Sequence, residues 1–185
     1  MTSLGDLLIG VGEIAVIPTD TVYGVVARAN AKEAVGKLYK LKSRENKPGT
    51  LVAANIDQLV ELGIKRRYLT AVQQYWPGPV SVIIPCSDPN LAYLHQGKMS
   101  LAVRIPKDTD LIKALLKNGP LISSSANEPG EEPAETIEQA KAYFGESVDH
   151  YIDGGNLAGR KPSTIIRIVD DAVEVLRQGA VKISE

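Results

Sequence analysis

The sequence predicts an α/β fold: a single twisted mixed sheet with helices packed on it, in one domain over residues 1–185. Three observations point there. Short valine- and isoleucine-rich runs interleave with segments whose apolar residues recur at helical spacing. The apolar run Ile14-Ala15-Val16-Ile17 passes directly into the polar block Pro18-Thr19-Asp20-Thr21-Val22-Tyr23-Gly24. Leu121-Ile122 passes in the same way into Ser123-Ser124-Ser125-Ala126-Asn127. A strand that stops being apolar and becomes densely polar marks the sheet edge where α/β proteins bind small polar ligands.

The elements follow in order. Ser3 ahead of Leu4, Leu7 and Leu8 predicts a short capped helix closed by Gly10 or Gly12. Strands are expected at 13–17 and 22–27, the second rich in valine. Asn30 is placed to cap a helix over 31–41, with Ala34, Val35, Leu38 and Leu41 on one face. A buried strand at 50–54 follows, then helices at 56–62 and 68–75 and a turn at Trp76-Pro77-Gly78-Pro79. Strands at 80–84 and 101–105, a helix at 110–116 and a strand at 121–124 come next. Glu128–Glu135 reads as a solvated loop or a mobile flap. Thr136 is the candidate cap of a helix over 136–143. A short strand ends at Tyr151-Ile152, and strands at 164–169 and 172–176 are joined by Asp170-Asp171. The pairs 13–17 with 22–27 and 164–169 with 172–176 are spaced like hairpins, so part of the sheet is expected to be antiparallel.

Composition sets further bounds. A hydrophobic content of 44% over 185 residues is enough for a true core. The net charge of −1 excludes a surface that attracts nucleic acid as a whole, so RNA affinity would need a local basic face. Cys86, the one cysteine, ends an apolar strand and reads as a small buried hydrophobe; a lone thiol fits a reducing compartment. Met1–Gly12 lacks the cationic start of a signal peptide, and no apolar run approaches the ~18 residues that span a bilayer. A soluble, cytoplasmic protein with no membrane partner is expected.

Several kinds of chemistry lack their parts. His95 and His150 have no Cys, Asp or Glu at metal-ligand spacing and read as solvent-facing or hydrogen-bonded. There is no Gly-x-Ser-x-Gly, no Gly-x-Gly-x-x-Gly and no Walker loop. A reaction here would run on positioning and charge stabilisation. The residues for that are present. Lys37, Lys40, Lys42, Arg44 and Lys47 set five cations against one acid, Glu45. Lysine offers phosphate a point charge and arginine a bidentate fork, although such a run also suits a solvated helix end. Ser125 and Asn127, two apart, point to one side of an extended segment, although serines also cap turns. Arg104 sits inside the apolar stretch Leu101–Ile105 and needs an anionic partner, a carboxylate or a ligand. Ser163-Thr164 heads one strand and Arg177-Gln178-Gly179 ends another.

Taken together, these segments resemble the YrdC/TsaC family, the threonylcarbamoyl-AMP synthases. The resemblance rests on Pro18-Thr19-Asp20-Thr21-Val22-Tyr23-Gly24, Lys42-x-Arg44, Trp76-Pro77-Gly78-Pro79, Ser100-Leu101-Ala102-Val103-Arg104, Ser125-x-Asn127, Pro162-Ser163-Thr164-Ile165 and Arg177-Gln178-Gly179. They stand in family order across about residues 10–180. The resemblance implies a YrdC-like domain with a basic concave face. It implies a nucleotidyltransferase that converts L-threonine, bicarbonate (or carbon dioxide) and ATP, with Mg²⁺, into threonylcarbamoyl-AMP and pyrophosphate. The product would go to a tRNA-modifying threonylcarbamoyl transferase complex. By the same resemblance Lys42, Arg44, Ser125, Asn127 and Arg177 would bind ATP, with Lys42 and Arg44 stabilising charge in catalysis. Thr21, Arg104 and Ser163 would hold threonine, with Tyr23 lining the pocket; the metal ligands stay unassigned. Longer relatives often carry a histidine after the Lys-x-Arg pair, and Gly49–Asn55 has none. They also carry a further C-terminal domain, whereas this chain ends at Glu185, as in the short bacterial branch. Two other expectations stand beside this one. One is a double-stranded RNA-binding or ribosome-maturation factor with tRNA or duplex RNA as partner, against which the near-zero charge and few aromatics weigh. The other is a carbamoyl-transfer domain acting on a different carbamate.

Overall fold

Side chains along a strand alternate between two faces, and that alternation sorts this molecule into layers. The structure is a computed structural model and describes residues 1–43 and 47–185. In chain order it contains β1 (Ala15–Ile17), β2 (Gly24–Arg28), α1 (Lys32–Leu41), β3 (Thr50–Val52), α2 (Ile56–Leu62), α3 (Arg66–Thr70), β4 (Val80–Pro85), α4 (Ala92–His95), β5 (Ser100–Arg104), α5 (Thr109–Asn118), β6 (Leu121–Ser125), α6 (Ile137–Phe144), β7 (His150–Tyr151), β8 (Thr164–Val169) and β9 (Ala172–Arg177). These strands form one sheet in the order β7-β1-β2-β6-β3-β5-β4-β8-β9. It is mixed: β1/β7, β3/β5 and β4/β8 run parallel, and the other neighbours antiparallel. Both expected hairpins are present. In the second, Asp170 and Asp171 take φ of 49° and 63°, the left-handed pair that a two-residue turn requires.

On one face Val16, Val25, Leu51, Ile122, Val103, Val82 and Ile166 build the main core with Val35 and Leu38 of α1 and with residues of α2, α3 and α6. On the other face Ala15, Ile17, Val26, Val52 and Leu121 meet Leu111, Ala114 and Leu115 of α5 and the N-terminal Leu4, Leu7 and Ile9. That second layer stops short. Farther along the same face, apart from Ile83, the strands present Thr50, Ser81, Ser100, Ala102, Arg104, Ser123 and Ser125 in place of large aliphatics. The uncovered part is where polar groups collect.

Local differences from the expected elements have local causes. The N-terminal helix is a single 3-10 turn, Leu4–Asp6, and the Ser3 hydroxyl donates to the Asp6 carboxylate at 2.7 Å without capping the backbone. Ala31, not Asn30, occupies the cap of α1. The helix expected at 68–75 splits into α3 and a 3-10 turn at Gln73–Tyr75. Between them Val72 leaves helical geometry (φ −123°, ψ 10°) and sends its side chain into the core. The four-residue α4 is too short to show periodicity. Thr136 does cap α6, accepting from Gln139 N at 3.3 Å. The 128–135 segment is a loop tied down at several points. Asn127 Nδ2 donates to Glu128 O and Glu131 O, Tyr143 Oη to Glu132 O, and Ala134 N to Ala126 O.

Candidate active site

The polar end of β1 builds the first wall of the site. Thr19 Oγ1 donates to Val22 O at 2.6 Å and accepts from Thr21 N at 3.1 Å, so the hydroxyl shapes the turn that carries the motif. Tyr23 is fully buried. Its hydroxyl donates to Gly155 O at 2.7 Å and accepts from Gly154 N at 2.9 Å. Burial pushes its phenol pKa up from the ordinary tyrosine value. Gly24 then opens the floor: a Cβ there would stand 2.8 Å from Ser123 Oγ.

These groups border a cavity of about 420 Å³. Thr21, Tyr23, Arg104, Ser125, Ser163 and Arg177, six of the residues expected at the site, line it together. They come from the β1–β2 turn, the ends of β5, β6 and β9, and the entry to β8. Ser125 Oγ donates to Asn127 Oδ1 at 2.5 Å. Asn127 in turn accepts from the Lys42 ammonium through its carbonyl and, at 3.1 Å, through Oδ1. Lys42 and Asn127 therefore join the cavity wall through Ser125. Of the five expected cations, Lys37, Lys40 and Lys47 are exposed while Lys42 turns inward, 5% exposed. Arg44 lies outside the described residues.

Arg104 finds its anion inside the protein. Asp20 Oδ1 accepts from Nε at 3.2 Å and forms an ion pair with Nη2 at 3.1 Å, with the two side chains only 5% and 8% exposed. Arg104 Nη1 also donates to Ser81 Oγ at 3.2 Å, and Ser81 Oγ lies 2.8 Å from Ser163 Oγ. Arg177 clasps Ser163, donating to its carbonyl through Nε at 3.0 Å and Nη2 at 2.8 Å, and to Oγ at 3.2 Å. Gly179 permits this approach of the chain end, because a Cβ on it would fall 2.2 Å from Pro162 O.

Sequence reasoning named the motif block but not Asp20 as the partner of Arg104, although a buried arginine demands a carboxylate and Asp20 is the only one in that block. It passed over Ser81, whose signal is a single hydroxyl between Val80 and Val82. Thr50, Ser100, Ser123 and Lys98 also line the cavity; Ser100 and Ser123 stand in segments already singled out without being named as site residues, and nothing in the sequence context of Thr50 or Lys98 sets them apart. Away from the cavity, His95 is buried against the carbonyl of Asp88 and the amide of Gly97, and His150 pairs with Glu13 at 2.7 Å. Cys86 is buried and its thiol is pushed up by desolvation. Among the described residues no group of three His, Cys, Asp or Glu could hold a metal ion, and no helix is long and apolar enough to cross a membrane. Chemically, the cavity can bind an anion: guanidinium, ammonium and hydroxyl donors converge there, with no nucleophile–base pair among the described residues that line it.

A family model described as Sua5_yciO_yrdC, telomere recombination, matches residues 8–179. The threonylcarbamoyl-AMP synthase of Marinobacter nauticus is 34% identical over 164 residues, 85% of this chain and 86% of that protein. A putative threonylcarbamoyl-AMP synthase of Methanocaldococcus jannaschii is 32% identical over 176 residues, 94% of this chain and 83% of that protein. The solved structure of P. abyssi Sua5 complexed with L-threonine superposes with a TM-score of 0.79 at 27% identity; the match covers 91% of this chain but only 51% of that one. E. coli YciO, at 24% identity, shares the fold with a TM-score of 0.78 over 92% of this chain and 85% of its own.

Proposed function

This chain belongs to the Sua5–YciO–YrdC family, and from that premise we propose that it is a threonylcarbamoyl-AMP synthase, a nucleotidyltransferase acting on L-threonine, bicarbonate or carbon dioxide, and ATP. The observation that carries the reading is convergence. Thr21, Tyr23, Arg104, Ser125, Ser163 and Arg177 come from segments far apart in the chain and line one cavity. Lys42 and Asn127 are bonded to its Ser125 wall. The relatives named as synthases cover most of this chain, which favours the enzyme over a double-stranded RNA-binding or ribosome-maturation factor.

The chemistry suits these groups. The threonine amine adds to carbon dioxide, and the proton it loses leaves a carbamate. A carbamate oxygen attacks the α-phosphorus of ATP, the α–β phosphoanhydride bond breaks, and pyrophosphate carries away the electron pair. No step needs a protein nucleophile. The protein must hold two anions together and stabilise charge on the phosphate oxygens, the task of preorganised cations. Lys42, with Ser125, Asn127 and Arg177, would face the phosphates; Arg44 would join them. Thr21, Arg104 and Ser163 would hold threonine, its carboxylate toward the guanidinium. Mg²⁺ would arrive on the triphosphate as part of the substrate. The product, a reactive mixed anhydride, calls for a transferase that passes the threonylcarbamoyl group to tRNA.

The test is direct. Pure protein is incubated with ATP, labelled bicarbonate and L-threonine. Pyrophosphate and a labelled adenylate should appear only when threonine is present. Salt-sensitive binding of duplex RNA without any adenylate would replace this reading with the RNA-binding one.

A further inference from the structure

One unbroken chain of hydrogen bonds joins the two arginines of the cavity: Asp20, Arg104, Ser81, Ser163, Arg177. Its proton accounting is informative. Arginine only donates, so Ser81 Oγ accepts from Arg104 and Ser163 Oγ accepts from Arg177. The two hydroxyls lie 2.8 Å apart and share one proton between them. The contact itself allows either hydroxyl to donate; Ser81 is completely buried within β4, and Ser163 Oγ is the acceptor offered to its hydrogen among the described residues, so burial assigns Ser81 the donor role. With Ser81 donating, the Ser163 hydrogen is left to point into the cavity that Ser163 lines. At the other end, one Asp20 oxygen, Oδ1, takes the hydrogen bond from Nε and the ion-pair contact with Nη2. The other, Oδ2, is buried with no partner among the described residues.

We propose that Asp20 and Ser81 are positioning residues. Asp20 locks the plane of Arg104, and Ser81 turns the Ser163 hydroxyl into a hydrogen-bond donor toward an anionic group of the substrate. The identity of that group as the threonine carboxylate rests on the synthase reading above; the geometric claim does not.

The experiment compares wild type with D20N, S81A, S163A and the S81A/S163A double variant. Michaelis constants for threonine and ATP are measured alongside thermal midpoints. In S81A the threonine KM should rise about tenfold while the ATP KM and kcat stay within about twofold. The double variant should be no worse than S163A alone, because Ser81 acts through Ser163. D20N should raise the threonine KM in the same selective way. Because D20N removes a buried countercharge and can cost folding, S81A carries the test if D20N is unstable. Additive losses in the double variant, or parallel changes in every constant with a falling thermal midpoint, would overturn the proposal. Direct titration with L-threonine alone separates this claim from the activity. If wild type makes no adenylate but binds L-threonine in a direct calorimetric titration, and S81A binds it more weakly, positioning stands and the synthase reading falls. Equal threonine affinity in wild type and S81A overturns positioning, as does a wild type that binds no threonine.

Discussion

Lys42 is a charged side chain in a nearly closed setting, and Asn127 makes that tolerable by accepting from its ammonium through both the backbone carbonyl and the side-chain oxygen. The Asn127 amide is also set by Ser125 at 2.5 Å and by its own donations to Glu128 O and Glu131 O. Its oxygen is therefore held in place before any nucleotide arrives. A cation preorganised this way should contribute more in the transition state than in the ground state. Lys42→Ala is expected to slow adenylate formation by ~100- to 1,000-fold with a smaller effect on the ATP KM. Pyrophosphate release under saturating substrates measures it, and a rate within a few-fold of wild type would remove Lys42 from the chemistry. At this scale most of the site was legible. Arg104 announced itself as an arginine in an apolar strand, and Ser125 and Asn127 as neighbours on one side of the chain. Asp20 and Ser81 were harder, because each has meaning only through Arg104, which β5 brings beside them.

Elements were legible where a periodic pattern and a boundary signal agreed. Helix α6 is the case: Thr136, expected as its cap, accepts from Gln139 N at 3.3 Å. Helix α5, expected at 110–116, is capped by Asp108, a residue that expectation did not name; its carboxylate accepts from Leu111 N at 2.8 Å, and the helix buries Leu111, Ala114 and Leu115 on one side. The split of 68–75 was hidden because Tyr68, Leu69, Val72 and Tyr75 fit a helical stripe whether or not the backbone stays helical through Val72. Helix α5 covers the second face of the sheet only over β1, β2, β3 and β6, so it anchors the strands without reaching the cavity groups. Asp108→Ala should therefore lower the unfolding free energy by about 1 kcal/mol, the worth of an N-cap, while each folded molecule keeps its activity. Urea unfolding and a specific-activity assay check the two halves. A loss of activity beyond the loss of folded protein would mean that α5 shapes the cavity after all.

For the whole molecule, strand neighbours close in sequence were legible and distant ones were not. The β1–β2 and β8–β9 hairpins follow from short connections, but β6 pairs antiparallel with both β2 and β3, and no pattern within Leu121–Ser125 names those partners. Nor does any single strand reveal that one face is left uncovered; that emerges only when Ser123, Thr50 and Ala102 line up across neighbouring strands. The same packing sets how stability responds to pH. At the acid end, hydrogen bonds from His150 and from Gly10 N hold the Glu13 carboxyl below its ordinary value. Its contribution is present at neutral pH and is lost as pH falls through the ordinary glutamate range and below. At the alkaline end the sign reverses. Burial pushes the phenols of Tyr23, Tyr93 and Tyr151 up, so the unfolded chain gives up these protons first. Their contribution is complete below the ordinary tyrosine value of about 10 and is lost as pH rises from there toward the folded values. The urea midpoint should fall above pH ~10, and Tyr93→Phe should make that fall shallower even though it frees the Ala29 carbonyl and costs stability at neutral pH. Unfolding curves of both proteins across that range give the two slopes. Equal slopes would mean that Tyr93 ionises as readily in the folded protein as in the unfolded chain.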